Sequence, residues 1–276
     1  MIRVIFAPLL LLASGATQTP TLAEQLHQCQ QSWGQQGAPR RIAACTAIIA
    51  SSEEDEPTHV DALIGRASGY MGVGDVPRAI SDYNEAIRRG GPNAIVYWMR
   101  GAAYDHLKDY RHAISDYGLA IKVDPTDSVA LTSRGKSYLQ LGNVRLGLAD
   151  FDRASALGNS SWACSERAKL GIELDRARTD CDAAIRQAKA NPYSSKNTSP
   201  YVARCMVGMK QKRFNEAWND CDAAVQIKPD SVTYFGRGLA ALALARATEG
   251  QADIAKAVQL DPKIAEYYAG FGLSPR

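Results

Sequence analysis

The chain has 276 residues, 46% hydrophobic and 22% charged, the balance of an ordinary folded protein. Its 32 basic and 29 acidic residues leave a formal net charge of +3 with no Lys/Arg block, which argues against an electrostatic nucleic-acid binder. From the N-terminus, residues 1–16 read as an export signal: Arg3 gives a positive start, Val4 to Ala13 an apolar core, and Ser14, Gly15 and Ala16 small residues for cleavage. That apolar run is well short of a membrane span, and no later segment is suited to one. Glu24 to Gly37 reads as the first helix, and "SSEEDEPT" at 51–58 as an acidic loop.

From there to the C-terminus the chain restarts at a 34-residue period. Copies begin at Val60, Ala94, Ser128, Thr198 and Ser231, the last two 33 apart, with degraded copies near Leu22 and Gly158, about seven in all. In a numbering of 1 to 34 for each copy, position 8 is Ala67, Gly101, Gly135, Cys205 and Gly238. Position 20 is Ala79, Ala113, Gly147, Ala217 and Gly250, and position 27 is Ala86, Ala120, Ala154, Ala224 and Ala257. Such a pattern predicts two helices per copy, brought close by small residues and filled beside them by large ones, Tyr104 with Tyr117 and Tyr138 with Phe151. Gly74 and Gly142 mark the turn inside the hairpin, and Pro125, Pro229 and Pro262 stop the second helix. A polar insert lies at Asn191–Ser199. Ile264, Tyr267, Tyr268 and Phe271 make 263–276 a terminal helix that caps the last copy.

Through Tyr97 or Trp98, Gly101, Tyr104, Tyr110, Ala113, Tyr117, Ala120 and Pro125, and again Gly238, Ala257 and Pro262, the chain resembles the tetratricopeptide repeat family. The resemblance covers roughly residues 22–264. It implies an all-α fold, a right-handed superhelical solenoid of antiparallel hairpins, here one array over 17–276 after the signal.

Two ionic positions also repeat. Position 7 is Arg66, Arg100, Arg134, Arg204 and Arg237; position 23 is Asp82, Asp116, Asp150, Asp180, Asp220 and Asp253. The arginines are expected to pair with the aspartates, within a repeat or between neighbours, rather than to form a ladder for an anion. Of the six cysteines, Cys29 and Cys205 fall at position 8, Cys164 at position 7, and Cys45, Cys181 and Cys221 at position 24. These positions face each other across a hairpin. Among the fifteen connectivities, the register favours Cys29–Cys45, Cys164–Cys181 and Cys205–Cys221. Disulfides suit an exported chain. A metal site is disfavoured, because no Cys-x-x-Cys occurs and His27, His59, His106 and His112 are scattered.

Nothing suggests catalysis or a cofactor. "GVGD" at 72–75 is a turn, not a phosphate loop, and no serine sits in a nucleophile elbow. The resemblance implies instead a concave groove lined by first-helix positions 2, 5, 9 and 12. Its expected contact residues include Met71, Trp98, Asp105, Lys136, Leu139, Met206, Met209 and Phe235. Trp98 either offers contact surface or packs against a neighbouring repeat, and Lys136 alone does not reproduce the Lys/Asn clamp of chaperone-tail binders. The expected function is a non-catalytic scaffold that binds a protein or peptide in that groove, in the periplasm or outside the cell. The alternative is an architectural subunit of an envelope complex, working through its edges and outer surface.

Overall fold

The computed structural model describes residues 20–31, 37–51, 55–191 and 196–275. The expected signal at 1–16, the middle of the acidic loop and part of the polar insert lie outside them. The described residues form fifteen α-helices and fall into two compact units that divide between Gly91 and Pro92.

The first unit holds two hairpins. Helix α1 (Leu22–Gln30) packs on α2 (Ala38–Ala50), and α3 (Glu56–Gly72) on α4 (Val76–Gly90). The first helix is offset from the expected Glu24–Gly37. It begins at Leu22 because Thr21 and Glu24 form a reciprocal capping box, with Thr21 N–H donating to Glu24 Oε2 at 2.8 Å and Glu24 N–H to Thr21 Oγ1 at 3.3 Å. It ends at Gln30, where Gln31 turns to an extended conformation.

The second unit holds five hairpins: α5 (Ala94–His106) with α6 (Tyr110–Val123), α7 (Ser128–Gln140) with α8 (Val144–Ala156), α9 (Ser161–Leu170) with α10 (Leu174–Ala190), α11 (Ser199–Lys210) with α12 (Phe214–Ile227), and α13 (Ser231–Ala243) with α14 (Ala247–Leu260). The terminal helix α15 is only Ile264–Ala269, shorter than the expected 263–276. Ile264 and Tyr268 are buried, and the Tyr268 hydroxyl donates to Val232 O at 2.7 Å.

Five hairpins turn at the same repeat position. Gly74 and Gly142 hold φ of +81° and +75° there, while Lys108, Lys212 and Ala245 adopt φ near +60° in their copies. An aspartate follows in two copies, and Asp75 and Asp109 accept the N–H of Arg78 and His112 to cap the second helix.

Position 8 is small because position 24 lies against it. A Cβ on Gly101 would come 2.8 Å from Tyr117 Cε1, and one on Gly135 would come 2.8 Å from Phe151 Cε1. Where position 8 is cysteine, position 24 is cysteine too. The structure joins Cys29 to Cys45, Cys164 to Cys181 and Cys205 to Cys221, with Cα–Cα distances of 5.0, 4.8 and 5.6 Å. A disulfide thus replaces the aromatic-on-glycine contact. The next hairpin must then make room for sulfur: a Cβ on Gly65 would meet Cys45 Sγ at 2.9 Å, and one on Gly236 would meet Cys221 Sγ at 2.7 Å.

All five position-7 arginines bind the position-23 aspartate of their own hairpin through two nitrogens, as in Arg134 to Asp150 at 2.8 and 2.8 Å. Arg204 also reaches back to Asp182 of the preceding hairpin and Arg237 to Asp222, each at 2.6 Å, and Arg66 reaches back to Thr46 Oγ1 at 3.5 Å. The hairpin of α9 and α10 departs from this. Cys164 takes the arginine's place, and Arg167, one turn later, reaches Asp180 instead, together with Asp152 and Glu173. Arg167 is fully buried, yet its bonds to these carboxylates outweigh the desolvation that opposes its charge and hold its pKa above the usual guanidinium value.

Candidate binding groove

The residues expected to line a groove fall into several environments. Met71 is half-buried in the first unit. In the second, Trp98 is half-buried against a core of Ala120, Ile121, Ala130, Leu131 and Ala154, and its Nε1 donates to Ser133 Oγ at 3.1 Å. It is held by its neighbours as much as it is offered to a partner. Asp105 accepts from the Tyr117 hydroxyl at 3.0 Å within its own hairpin and from the Ser137 hydroxyl of the next at 2.7 Å, so both its oxygens serve packing. Leu139 packs with Leu148, Phe151 and Ala163. Met209 is half-buried between two core clusters.

Phe235 does not reach the groove surface. It is fully buried, with its ring 5.0 Å from that of Tyr268. Tyr268 comes 34 residues after Tyr234, so α15 stands where the first helix of a further repeat would pack and covers Phe235 as that helix would. Met206 is only 3% exposed, but its surface lines a cavity.

This cavity, about 480 Å³, lies on the first-helix side of the second unit. Its apolar part is Val202, Ala203 and Met206 of α11 with Val232 of α13. Trp162 of α9 and Tyr267 of α15 also line it, and both are exposed, 39% and 41%. Ser161, Ser165, Thr198, Ser199 and Asn197 add hydrogen-bonding groups, and Lys169, Lys228 and Asp230 add charge. Lys169 binds Glu166 at 2.9 Å and Lys228 binds Asp230 at 3.1 Å.

Lys136 lies beside this site, with its ammonium 3.5 Å from the centroid of the Trp162 ring. Lys210 donates to Lys169 O at 3.0 Å. Burial pulls both Lys136 and Lys210 below the usual lysine value.

Trp162, Lys169, Lys228 and Tyr267 are absent from the residues expected from sequence. The signal for the first two was present. Counted from Gly158, Trp162 is position 5, the place of Trp98, and Lys169 is position 12. The other two come from elements outside the first-helix pattern, the segment before α13 and the terminal helix. Among the described residues, no group of three or more His, Cys, Asp or Glu side chains is placed to hold a metal ion. No helix among them is long and apolar enough to cross a membrane.

Serial antiparallel hairpins with a fixed register of small, aromatic and ionic positions define an α-helical repeat scaffold. Residues 94–127 match the family model described as Tetratricopeptide repeat, and the fold of the described residues is that of tetratricopeptide-repeat structures. A tetratricopeptide repeat protein from Parabacteroides merdae is similar with a TM-score of 0.62 at 18% identity, over 91% of this chain and 98% of that one. PilW, a widely conserved type IV pilus biogenesis factor, is similar with a TM-score of 0.61 at 16% identity, over 74% of this chain and 94% of its own. YrrB, a tetratricopeptide protein with an unusual peptide-binding site, gives 0.51 at 19% identity, over 75% of this chain and 99% of its own. No curated protein matches the chain by sequence. At these identities the likeness is one of fold.

Proposed function

We propose that the protein is a non-catalytic scaffold that binds a protein or peptide segment on the first-helix, concave side of its second unit, in an exported compartment. The observation that carries this is the cavity between α9, α11, α13 and α15, where Trp162 and Tyr267 stay exposed beside apolar Val202 and Val232. Half-exposed aromatic rings around a recess are typical anchors for a partner. Ile95 and Val129, 63% and 49% exposed, occupy position 2 of their first helices, the position of Val232 in the cavity. YrrB, which shares the fold, has a peptide-binding site by its own description. The three buried disulfides support export, because such bonds persist where thiols are not kept reduced.

The test is retention of partners from an envelope extract by the oxidised mature protein and by Trp162→Ala, with captured proteins identified by mass spectrometry. Trp162 is exposed, so its truncation leaves the helical circular dichroism unchanged and removes the partner. Equal capture by both forms overturns the groove reading and moves the function to the edges and outer helices, as an architectural subunit would require.

A further inference from the structure

We propose that the second-helix side of the second unit, formed by the exposed faces of α6, α8 and α10, docks on an anionic phospholipid surface. This face lies on the other side of the hairpins from the first-helix cavity, so the inference stands apart from the groove reading.

The repeat register builds the face. On α6, Arg111, Ser115, Leu119 and Lys122 recur at helical spacing, and all are exposed. On α8 the same repeat positions hold Arg145, Ala149, Arg153 and Ala156, again all exposed. On α10 they hold Asp175, Thr179, half-buried Ala183 and exposed Arg186, and exposed Lys189 follows one turn later. Arg176 of α10 binds Asp152 of α8 at 2.9 Å, which ties the last two stripes together. The cations are spread along residues 111–189, so no basic run shows in the sequence. Folding gathers them.

Their charge is free. Arg111, Lys122, Arg145, Arg153, Arg186 and Lys189 form no ion pair among the described residues. The carboxylates nearby are engaged: Asp152 by Arg167 and Arg176, Glu173 by Arg167, Asp182 by Arg204, and Asp109 by His112. Asp175 accepts from the Gln211 amide at 2.9 Å. By contrast, Arg88 and Arg89 of α4 are both paired with Glu85. Against a formal net charge of +3 for the whole chain, this face is a concentration of positive charge.

Apolar side chains stand among these cations. Leu119 and Val123 flank Lys122, Leu146 follows Arg145, and Leu157 lies one turn beyond Arg153; all four are exposed. A nucleic-acid backbone favours the cations and sets the leucines against charge. A bilayer surface favours both, because its phosphates meet the cationic heads while the leucines enter the boundary between headgroups and acyl chains. The arginine and lysine stems lie along that apolar layer with their charges at the phosphates. No helix among the described residues is long and apolar enough to span a bilayer, so the contact proposed for these helices is peripheral. The first-helix cavity then faces away from the lipid and stays open to a partner.

The experiment is co-sedimentation of the oxidised mature protein with phosphatidylcholine vesicles, with and without phosphatidylglycerol. The protein pellets with the anionic vesicles and stays in solution with the neutral ones. Arg145→Gln with Arg153→Gln weakens anionic-vesicle binding about fivefold for each charge removed. Both side chains are exposed, so the helical circular dichroism is unchanged. Leu119→Ser with Leu146→Ser weakens vesicle binding and leaves any binding to a labelled DNA duplex unaltered. Lys212→Gln with Lys263→Gln, at exposed lysines outside this face, leaves vesicle binding nearly unchanged. Added salt releases the vesicles. Failure to bind anionic vesicles, or an equal loss in the Lys212 and Lys263 variant, overturns the inference. If the DNA duplex displaces the vesicles and the leucine variant binds them as well as the parent does, the face is a general polyanion surface and the membrane assignment is overturned. The extract experiment with Trp162→Ala decides the groove reading separately.

Discussion

Arg204 clasps Asp220 across its own hairpin with two nitrogens, at 2.5 and 2.9 Å, while its third nitrogen holds Asp182 of the hairpin before at 2.6 Å. One guanidinium therefore fixes both the pairing of α11 with α12 and the seating of that hairpin on α10. Its bonds to Asp220 and Asp182 overcome the opposing effect of burial and hold its pKa above the usual arginine value. Asp220→Ala leaves a largely desolvated cation with half its partners. The expected loss is about 2–3 kcal/mol in urea unfolding, below the figure for fully buried pairs because the Arg204 side chain is 23% exposed. Asp182→Ala, which removes a partner whose side chain is 38% exposed, costs about 1 kcal/mol or less. Equal losses from the two variants contradict the assignment of Asp220 as the main partner.

Cys205 and Cys221 occupy the places that Gly101 and Tyr117 hold in another copy. Replacing both cysteines by serine opens a loop of this length and costs about 3 kcal/mol. Cys205→Gly with Cys221→Tyr instead places the aromatic-on-glycine pair of Gly101 and Tyr117 in this hairpin. This double variant recovers at least half of the loss. Its melting temperature also responds less to a reductant than that of the parent, because one fewer bond remains to be broken. Thermal unfolding with and without reductant separates the two variants, and equal stability of the serine and Gly/Tyr proteins counts against the substitution rule.

Much of this was legible because a repeat gives many readings of one environment. Gly101, Gly135 and Gly238, with Ala67, show in sequence that position 8 is confined to small residues, and Arg66 through Arg237 show an ionic pair before any distance is known. The cysteine pairing followed from the same register. What was not legible depends on contacts that occur once. Phe235 obeys the groove pattern, but its burial depends on Tyr268, which belongs to no full copy. Lys228 and Tyr267 line the cavity from segments without a repeat partner. Arg167 was invisible as an ionic residue because Cys164 had displaced it by one helical turn. Periodicity reports shared constraints, whereas a binding site is where the copies differ.

Two glycines in neighbouring hairpins separate packing from helix propensity. A Cβ on Gly135 meets Phe151 Cε1 at 2.8 Å and the backbone oxygen of Gly147 at 3.0 Å, and the second of these cannot swing aside. Gly135→Ala therefore forces α7 away from α8 and costs about 2–3 kcal/mol. A Cβ on Gly118 has only Arg134 Nη1 nearby, at 3.7 Å, within the helical interior of α6. There the substitution to Ala stabilises by up to about 1 kcal/mol through lower backbone entropy in the unfolded chain. Denaturant midpoints that move in the same direction for both would contradict the close approach at Gly135.

Ala245 adopts φ of +60° at the turn between α13 and α14, the position held by Gly74 and Gly142 in other copies. Its Cβ is unfavourable in this left-handed conformation, by about 1–2 kcal/mol, whereas glycine takes it freely. Glycine also has more unfolded-state freedom to lose, which offsets part of the gain. Ala245→Gly should thus raise stability by roughly 0.5–1 kcal/mol, the reverse of the usual effect of alanine-to-glycine exchange. Ala240→Gly, in the buried interior of α13, loses about 1 kcal/mol or more and serves as the opposite control. If urea unfolding shows both exchanges destabilising, the left-handed turn at Ala245 is not the source of strain that its dihedral implies.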